Sequence, residues 1–259
     1  MKDILQQIVR DKRLEVDELQ GALPLERLQT QISPRSERPF HDALSQTGTI
    51  NIIAELKQGS PSKGLLVDSF NPALWARQYR DGGAAALSVL TDQKYFYGRP
   101  EYMGMAKREA NLPILCKDFV INRYQIYYAR YMQADAILLI VRLLTPKLLV
   151  EYLNVADTVG LDCLVETHNA EEVNKAVDCG ANIIGVNNRN LHDFSISLET
   201  SEKLARLIPE DVIKVTESGI ATKEDVSRLK EVGFNCFLIG GALMTASDPV
   251  AHLRSLRKQ

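Results

Sequence analysis

From Thr49 onward the chain alternates between two patterns of apolar positions. Short, nearly continuous apolar runs recur at 50–56 (INIIAEL), 85–91 (AALSVLT), 112–118 (LPILCKD), 136–141 (AILLIV), 163–167 (CLVET), 182–187 (NIIGVN), 212–218 (VIKVTES) and 236–241 (CFLIGG). A strand with one wet face alternates apolar and polar residues, so a run apolar throughout predicts a parallel strand covered on both faces. The longer stretches between the runs, such as PALWARQYRDG and KEDVSRLKEVG, repeat their apolar residues at the spacing of amphipathic helices. Asn71-Pro72 and Thr145-Pro146 read as helix starts, a capping side chain followed by a proline whose missing N–H is not needed there.

A weak repeat runs through the same region. The segments DGGAAALSVL, QADAILLI, CGANIIGV and VGFNCFLI each put a helix end and a small residue before a strand. Gly83, Gln133, Gly180 and Gly233 hold equivalent places, spaced 50, 47 and 53. That period is two strand–helix units, so the chain reads as four quarters of a closed (β/α)8 TIM barrel. An open doubly wound sheet is the alternative, but it usually carries a GxGxxG turn after its first strand and none is present.

Residues 1–48 differ. Ile4, Leu5, Ile8 and Val9 recur at helical spacing, a second helical stretch covers Leu23 to Gln31, and SPRSERPF reads as a connector. The division expected is an N-terminal helical extension, 1–48, and a catalytic barrel, 49–259, with the extension's apolar stripe folded against the barrel and partly roofing its mouth.

Composition narrows the function. Lys+Arg is 31 against 33 Asp+Glu, a net charge of −2, with 45% hydrophobic residues, so disorder is excluded and no basic surplus exists for nucleic acid. Cys116, Cys163, Cys179 and Cys236 form no CxxC, and His41, His168, His192 and His252 are scattered, so neither a metal site nor a disulfide framework is expected. The charged start is unlike a signal peptide, and the longest charge-free run, 232–247, is too short and polar to span a bilayer. The expectation is a cytoplasmic monomer with no membrane partner and no second enzyme fused beyond Gln259.

The chemistry of such a barrel lies at the C-terminal ends of its strands. Those ends carry Glu55 and Lys57, Lys117-Asp118, Glu166, Asn187, Glu217-Ser218-Gly219 and Gly240-Gly241. Any one of these could be a solvated charge; converging on one mouth, two lysines and three glutamates tune one another and supply both an acid and a base. The glycine-bearing turns after the seventh and eighth runs suit a phosphate monoester held by backbone N–H groups. SPSKG (60–64) reads as a mobile loop over the mouth, and the aromatics of 94–98 as one wall of the pocket. From the residues alone the reading is a phosphorylated small-molecule substrate and Lys/Glu acid–base chemistry.

Several motifs sharpen it. Glu55-Leu56-Lys57 with Ser60-Pro61-Ser62-Lys63-Gly64, Val89-Leu90-Thr91-Asp92 with Tyr95-Phe96 and Gly98, Lys117-Asp118-Phe119, Asp135 to Ile140, Val165-Glu166, Gly185 to Leu191, Glu217-Ser218-Gly219-Ile220 and Leu238-Ile239-Gly240 together resemble the indole-3-glycerol phosphate synthase family, in order and with family-like spacing from about Ile53 to Met244. The resemblance implies a carboxy-lyase of tryptophan biosynthesis. It would convert 1-(2-carboxyphenylamino)-1-deoxyribulose 5-phosphate to indole-3-glycerol phosphate by ring closure, decarboxylation and dehydration, with no cofactor or metal. It also implies Lys117 as general acid of ring closure, Lys57 near the phosphate and carboxylate side and assisting dehydration, Glu166 and Glu55 sharing the later acid–base steps in an undecided division, and Asn187 and Glu217 orienting hydroxyls and lysines. Ser218, Gly219, Gly240 and Gly241 would hold the phosphate, Phe96, Phe119, Leu138 and Leu191 would wall in the ring, and Ser60 would touch substrate from the first loop. Gly241 replaces a common Ser or Glu, leaving a backbone donor, and Thr216 replaces a common Ala, adding a hydroxyl beside a neighbouring strand. Phosphoribosylanthranilate isomerase, another phosphate-binding barrel, uses a Cys/Asp pair and is disfavoured by the Glu-Leu-Lys strand end; a non-catalytic barrel is disfavoured by the intact lysines and glutamates.

Overall fold

The computed structural model describes residues 4–33, 35–61, 64–190 and 193–258. Eight parallel strands close into a barrel in chain order: β1 (Asn51–Leu56), β2 (Ala86–Leu90), β3 (Ile114–Lys117), β4 (Ala136–Ile140), β5 (Asp162–Thr167), β6 (Ile183–Asn187), β7 (Ile213–Glu217) and β8 (Cys236–Ile239), which pairs back onto β1. Three helices precede β1: α1 (Ile4–Ala22), α2 (Leu25–Thr30) and α3 (Pro39–Leu44). The outer ring follows as α4 (Pro72–Gly82), α5 (Gln93–Phe96), α6 (Glu101–Ala110), α7 (Arg123–Tyr131), α8 (Pro146–Val159), α9 (Ala170–Asp178), α10 (Glu199–Leu204), α11 (Lys223–Glu231), α12 (Gly241–Met244) and α13 (Pro249–Arg257). Asn71 and Thr145 cap α4 and α8 through their side chains, each with proline at the first helical position.

Successive strand residues face opposite ways, and both faces are filled. Ile53, Ala86, Leu115, Ala136, Leu138, Leu164, Ile183, Val215 and Leu238 pack inside the barrel. Ile52, Leu87, Ile114, Ile137, Leu139, Val165, Ile184 and Phe237 pack outward under the helices. This is why the runs read as continuously apolar. The 50-residue repeat also has a conformational basis. Gly83, Gln133, Gly180 and Gly233 all adopt left-handed backbone, with φ of 89°, 66°, 82° and 100°, immediately before β2, β4, β6 and β8. A left-handed residue ends each helix and turns the chain into the next strand, which glycine does without strain.

Residues 33–40, read from sequence as a connector, are so only in part: Pro39 and Phe40 begin α3. Two turns of helix carry only Phe40 and Leu44 as an apolar pair four apart, too short a period to read, yet both are fully buried in the barrel-interior cluster. The segment read as a loop at 60–64 is flanked by a small antiparallel ribbon, Gly59–Ser60 with Gly64–Leu65; Ser62 and Lys63 lie outside the described residues.

Helix α1 buries Leu5, Ile8, Lys12 and Val16, one face of the helix. Val16 packs with Leu28 of α2 and Tyr124 of α7, and the Tyr124 hydroxyl donates to the carbonyls of Leu19 and Leu23 at 3.2 and 2.9 Å. Lys12 is the polar anchor, its side chain 1% exposed. Its ammonium lies 2.8 Å from Asp118 just past β3, 3.0 Å from Asp92 past β2 and 2.7 Å from its own helix's Glu15. Burial opposes that charge, but Asp118, Asp92 and Glu15 outweigh it and hold the proton more tightly than in free lysine. Removing one partner of a buried ion cluster leaves the others uncompensated. Lys12→Ala is therefore expected to destabilise the fold by about 3–5 kcal/mol in urea unfolding; a loss below about 1 kcal/mol, the worth of an exposed pair, would contradict this account of the anchor.

Candidate active site

The strand ends converge on a cavity of about 440 Å³ at the C-terminal mouth of the barrel. Glu55, Lys57, Ser60, Phe96, Lys117, Phe119, Leu138, Glu166, Asn187, Glu217, Ser218, Gly219, Gly240 and Gly241 all line it. Leu191, expected at the ring wall, lies outside the described residues.

Lys117 is the last residue of β3 and reaches across the floor. Its Nζ is 3.5 Å from Glu166 Oε2 on β5 and 3.7 Å from Glu217 Oε2 on β7. These distances reflect strand geometry: side chains that point inward from the ends of β3, β5 and β7 meet at the barrel axis. Burial opposes the ammonium, but Glu166, Glu217 and Glu55 outweigh it, so Lys117 holds its proton above the ordinary lysine range. Glu217 is displaced the other way. Burial and the neighbouring Glu166 push its carboxyl well above the usual range, and Lys117 offsets this only in part. Two carboxylates around one ammonium cannot both ionise easily, so the cluster retains a proton where free glutamates lose theirs.

Lys57, one residue past β1, pairs with Glu55 Oε1. Burial raises the Glu55 carboxyl, but Lys57 and Lys117 outweigh it and the net displacement is downward. Glu55 is therefore the carboxylate of the set held below its usual range, and Glu217 the one held above it. Gly240 permits this arrangement: a Cβ there would come within 2.4 Å of Glu55 Oε1.

Asn187 ends β6, and its Oδ1 accepts the backbone N–H of Arg189 at 3.0 Å. Arg189 also lines the mouth, an element that sequence reasoning did not assign, although its motif was singled out. Its signal was a guanidinium two residues past a strand end already rich in polar groups. Past β7 the turn is left-handed twice over, with φ of 67° at Ser218 and 83° at Gly219. Asn188 braces it, donating to the Ser218 carbonyl at 3.0 Å and to the Thr216 hydroxyl at 3.1 Å. The Thr216 hydroxyl thus joins β7 to the segment following β6.

The rest of the cavity is apolar. Phe96 and Phe119 face each other with ring centroids 5.9 Å apart. Phe96 belongs to α5, a helical turn rather than an open loop, capped by Asp92. Asp118 orients Phe119 by accepting its backbone N–H at 2.7 Å. Ile4, Leu5 and Ile8 of α1 close the cavity from above, as the stripe implied, together with Phe194 and Ile196, which the sequence reading did not single out. Among the described residues, no group of three or more His, Cys, Asp and Glu is placed to hold a metal ion.

Ammonium groups and carboxylates of opposed proton affinity, at the mouth of a closed barrel and under an apolar roof, define an acid–base enzyme of the (β/α)8 class. Residues 5–256 match the family profile described as indole-3-glycerol phosphate synthase. A relative bearing that name from Lachnoclostridium phytofermentans is 47% identical over 218 residues, 84% of this chain and 80% of that one. Another, from Chlorobium luteolum, is 43% identical over 256 residues, 96% of this chain and 98% of that one. The chain belongs to the indole-3-glycerol phosphate synthase family. The barrel itself is shared more widely: a solved N-acetylmannosamine-6-phosphate 2-epimerase from Clostridium perfringens superposes with a TM-score of 0.63 at 16% identity, covering 81% of this chain and 93% of that one.

Proposed function

We propose that this mouth converts 1-(2-carboxyphenylamino)-1-deoxyribulose 5-phosphate to indole-3-glycerol phosphate, and that Lys117, held between Glu166 and Glu217, drives the first step. That placement is the observation that carries the assignment. As the ring carbon attacks the C2 carbonyl, charge develops on the oxygen, and a preorganised ammonium stabilises and then protonates it. The new bond removes aromaticity; loss of CO2 restores it, and the apolar wall of Phe96, Phe119 and Leu138 favours the neutral products over the carboxylate. Dehydration then needs an acid at the departing hydroxyl and a base at the adjacent CH2. Glu166 is read as that base, with Lys57 and Glu55 serving the departing hydroxyl. Two protons are delivered and one recovered, so each turnover takes one proton from solvent, matching a carboxylate that leaves as neutral CO2.

Asn187 and Glu217 orient substrate hydroxyls and the lysines, Ser60 and Leu191 complete the substrate contacts, and Ser218, Gly219, Gly240 and Gly241 hold the phosphate. The left-handed turn at Ser218-Gly219 supports the last assignment, because such turns aim backbone N–H groups into a concavity. Gly219→Pro removes one N–H and imposes a φ near −65° where the turn has 83°. Steady-state kinetics are expected to show KM raised about tenfold or more, with kcat the less affected, on the view that the phosphate supplies mainly uniform binding. An unchanged KM would move the phosphate elsewhere.

The same reading divides the chain into an extension, residues 1–48, and a barrel, 49–259, and makes the enzyme a cytoplasmic monomer. Its site is built from a single chain, and Cys116, Cys163, Cys179 and Cys236 are unpaired thiols suited to a reducing compartment. Among the described residues, no helix is long and apolar enough to cross a membrane. The activity is tested by incubating the purified chain with the substrate and following indole fluorescence. A steady rise is expected; a folded chain giving none would refute the assignment.

A further inference from the structure

His168 follows β5 directly and leads into α9. Its side chain is 5% exposed and has a carboxylate at each ring nitrogen: Nδ1 is 3.0 Å from Glu172 Oε2, and Nε2 is 3.4 Å from Glu166 Oε1. Glu172 is itself fixed on several sides. Its Oε2 accepts the backbone N–H of His168 at 2.8 Å. Its Oε1 accepts from Asn169 Nδ2 at 3.1 Å and from Arg142 Nε, in the turn after β4, also at 3.1 Å. Burial opposes the Glu172 charge, but His168 and Arg142 outweigh it and the carboxyl lies below its usual range. An ionised oxygen held this way draws the Nδ1 hydrogen towards itself and fixes the tautomer. Nε2 is buried without a hydrogen-bond partner, and Glu166 Oε1 stands 3.4 Å from it. A ring nitrogen lone pair and a carboxylate oxygen are both acceptors, and they face one another stably only with a proton between them.

We propose that His168 is a positioning residue for Glu166: it shares a proton with Glu166 Oε1 and leaves Oε2, the oxygen towards Lys117, as the basic atom facing the substrate. The inference rests on the reading of Glu166 as the base of dehydration. In that step the C–H bond of the CH2 breaks and its electron pair forms the ring double bond. The proton passes to Glu166 Oε2, and the hydroxyl departs as water with a proton from the acid. With its proton shared on Oε1, Glu166 accepts the new one as part of a pair that the anionic Glu172 steadies from behind. The titratable and charged groups around the pair are Glu172 and Arg142 on the outer side, and Lys117 and Glu217 on the inner side with Glu55 beyond Lys117. Arg142 is exposed, so this chain of groups runs from the catalytic lysine to the outer surface of the barrel.

The test compares wild type with His168→Asn and Glu172→Gln. Asn keeps a donor where Nδ1 stood but places nothing opposite Glu166; Gln leaves the ring in place but removes the anion that fixes it. Both variants are expected to lower kcat about tenfold with KM changed less than about twofold, a fraction of the effect of a positioned base itself. A profile of kcat over roughly pH 5 to 9 brackets the histidine range. Its acid limb is expected to move up in each variant, because a carboxylate deprived of a positive neighbour ionises less readily. A merely structural His168 would lower the amount of folded enzyme without moving that limb. Glu172→Gln carries the test alone if His168→Asn does not fold. Wild-type kcat and an unmoved acid limb in the folded variants would overturn the proposal. Glu166→Gln, measured alongside, separates the two readings: if it is inactive while the other variants match wild type, only the role of His168 falls; if it keeps wild-type kcat, the assignment of Glu166 falls and the proposal with it.

Discussion

Replacing Lys117 by alanine or by arginine is expected to lower kcat more than about 10³-fold, since the general acid and the charge facing the developing alkoxide are lost or misplaced together. The two substitutions separate the roles an ammonium could have here. If Lys117 only neutralised Glu166 and Glu217, arginine would keep charge and pairing and lose little. A guanidinium does not give up its proton at accessible pH, and its planar fork does not fit a site 3.5 and 3.7 Å from two carboxylates on different strands. The carboxylates that hold the proton on Lys117 do not prevent its transfer, because an alkoxide is far more basic than an amine. Both variants are expected to stay folded and to bind glycerol phosphate as wild type does, the proposed phosphate site lying on β7 and β8. If Lys117→Arg retains more than about a tenth of wild-type kcat, less than the loss expected for a missing general acid, the role passes to Lys57.

Glu166→Gln is expected to lower kcat by about 10²–10⁴ with little change in KM, the usual worth of a positioned base. The amide keeps size and hydrogen bonding, so orientation survives and basicity does not. A rise confined to KM would assign Glu166 to binding instead. The stalled step also distinguishes the two central residues. Ring closure precedes loss of CO2, and dehydration follows it, so Glu166→Gln should release CO2 in a single turnover and stop before indole, whereas Lys117→Ala should release none.

Both residues were legible in the sequence because the barrel's geometry is encoded in its apolar periodicity. Once the run 112–118 is a strand, Lys117 can only stand at its exit, and the same holds for Glu166 and Glu217. The motifs from Glu55 to Gly240 then pointed to the reaction. The elements that escaped have short or nonlocal signals. Helix α3 announces itself with two large apolar residues in six, and only the barrel floor beneath it makes them a core. Arg189 looked like one more charge in a polar loop until the fold turned it to the mouth. Lys12 reads as the wet face of an amphipathic helix, yet it is buried because Asp92 and Asp118, some 80 and 106 positions further along the chain, meet it there. The pairing of His168 with Glu172, four apart, could be read from helix spacing, but its contact with Glu166 depends on how β5 delivers the chain to α9.

The role of Lys117 in ring closure is tested most directly by quantifying CO2 and indole together in a single turnover of wild type and Lys117→Ala with 1-(2-carboxyphenylamino)-1-deoxyribulose 5-phosphate. Wild type should give the two in equal amounts and Lys117→Ala neither, because no carboxylate leaves until the ring has closed. Release of CO2 by Lys117→Ala at the wild-type rate, with indole absent, would place Lys117 after ring closure and contradict the mechanism.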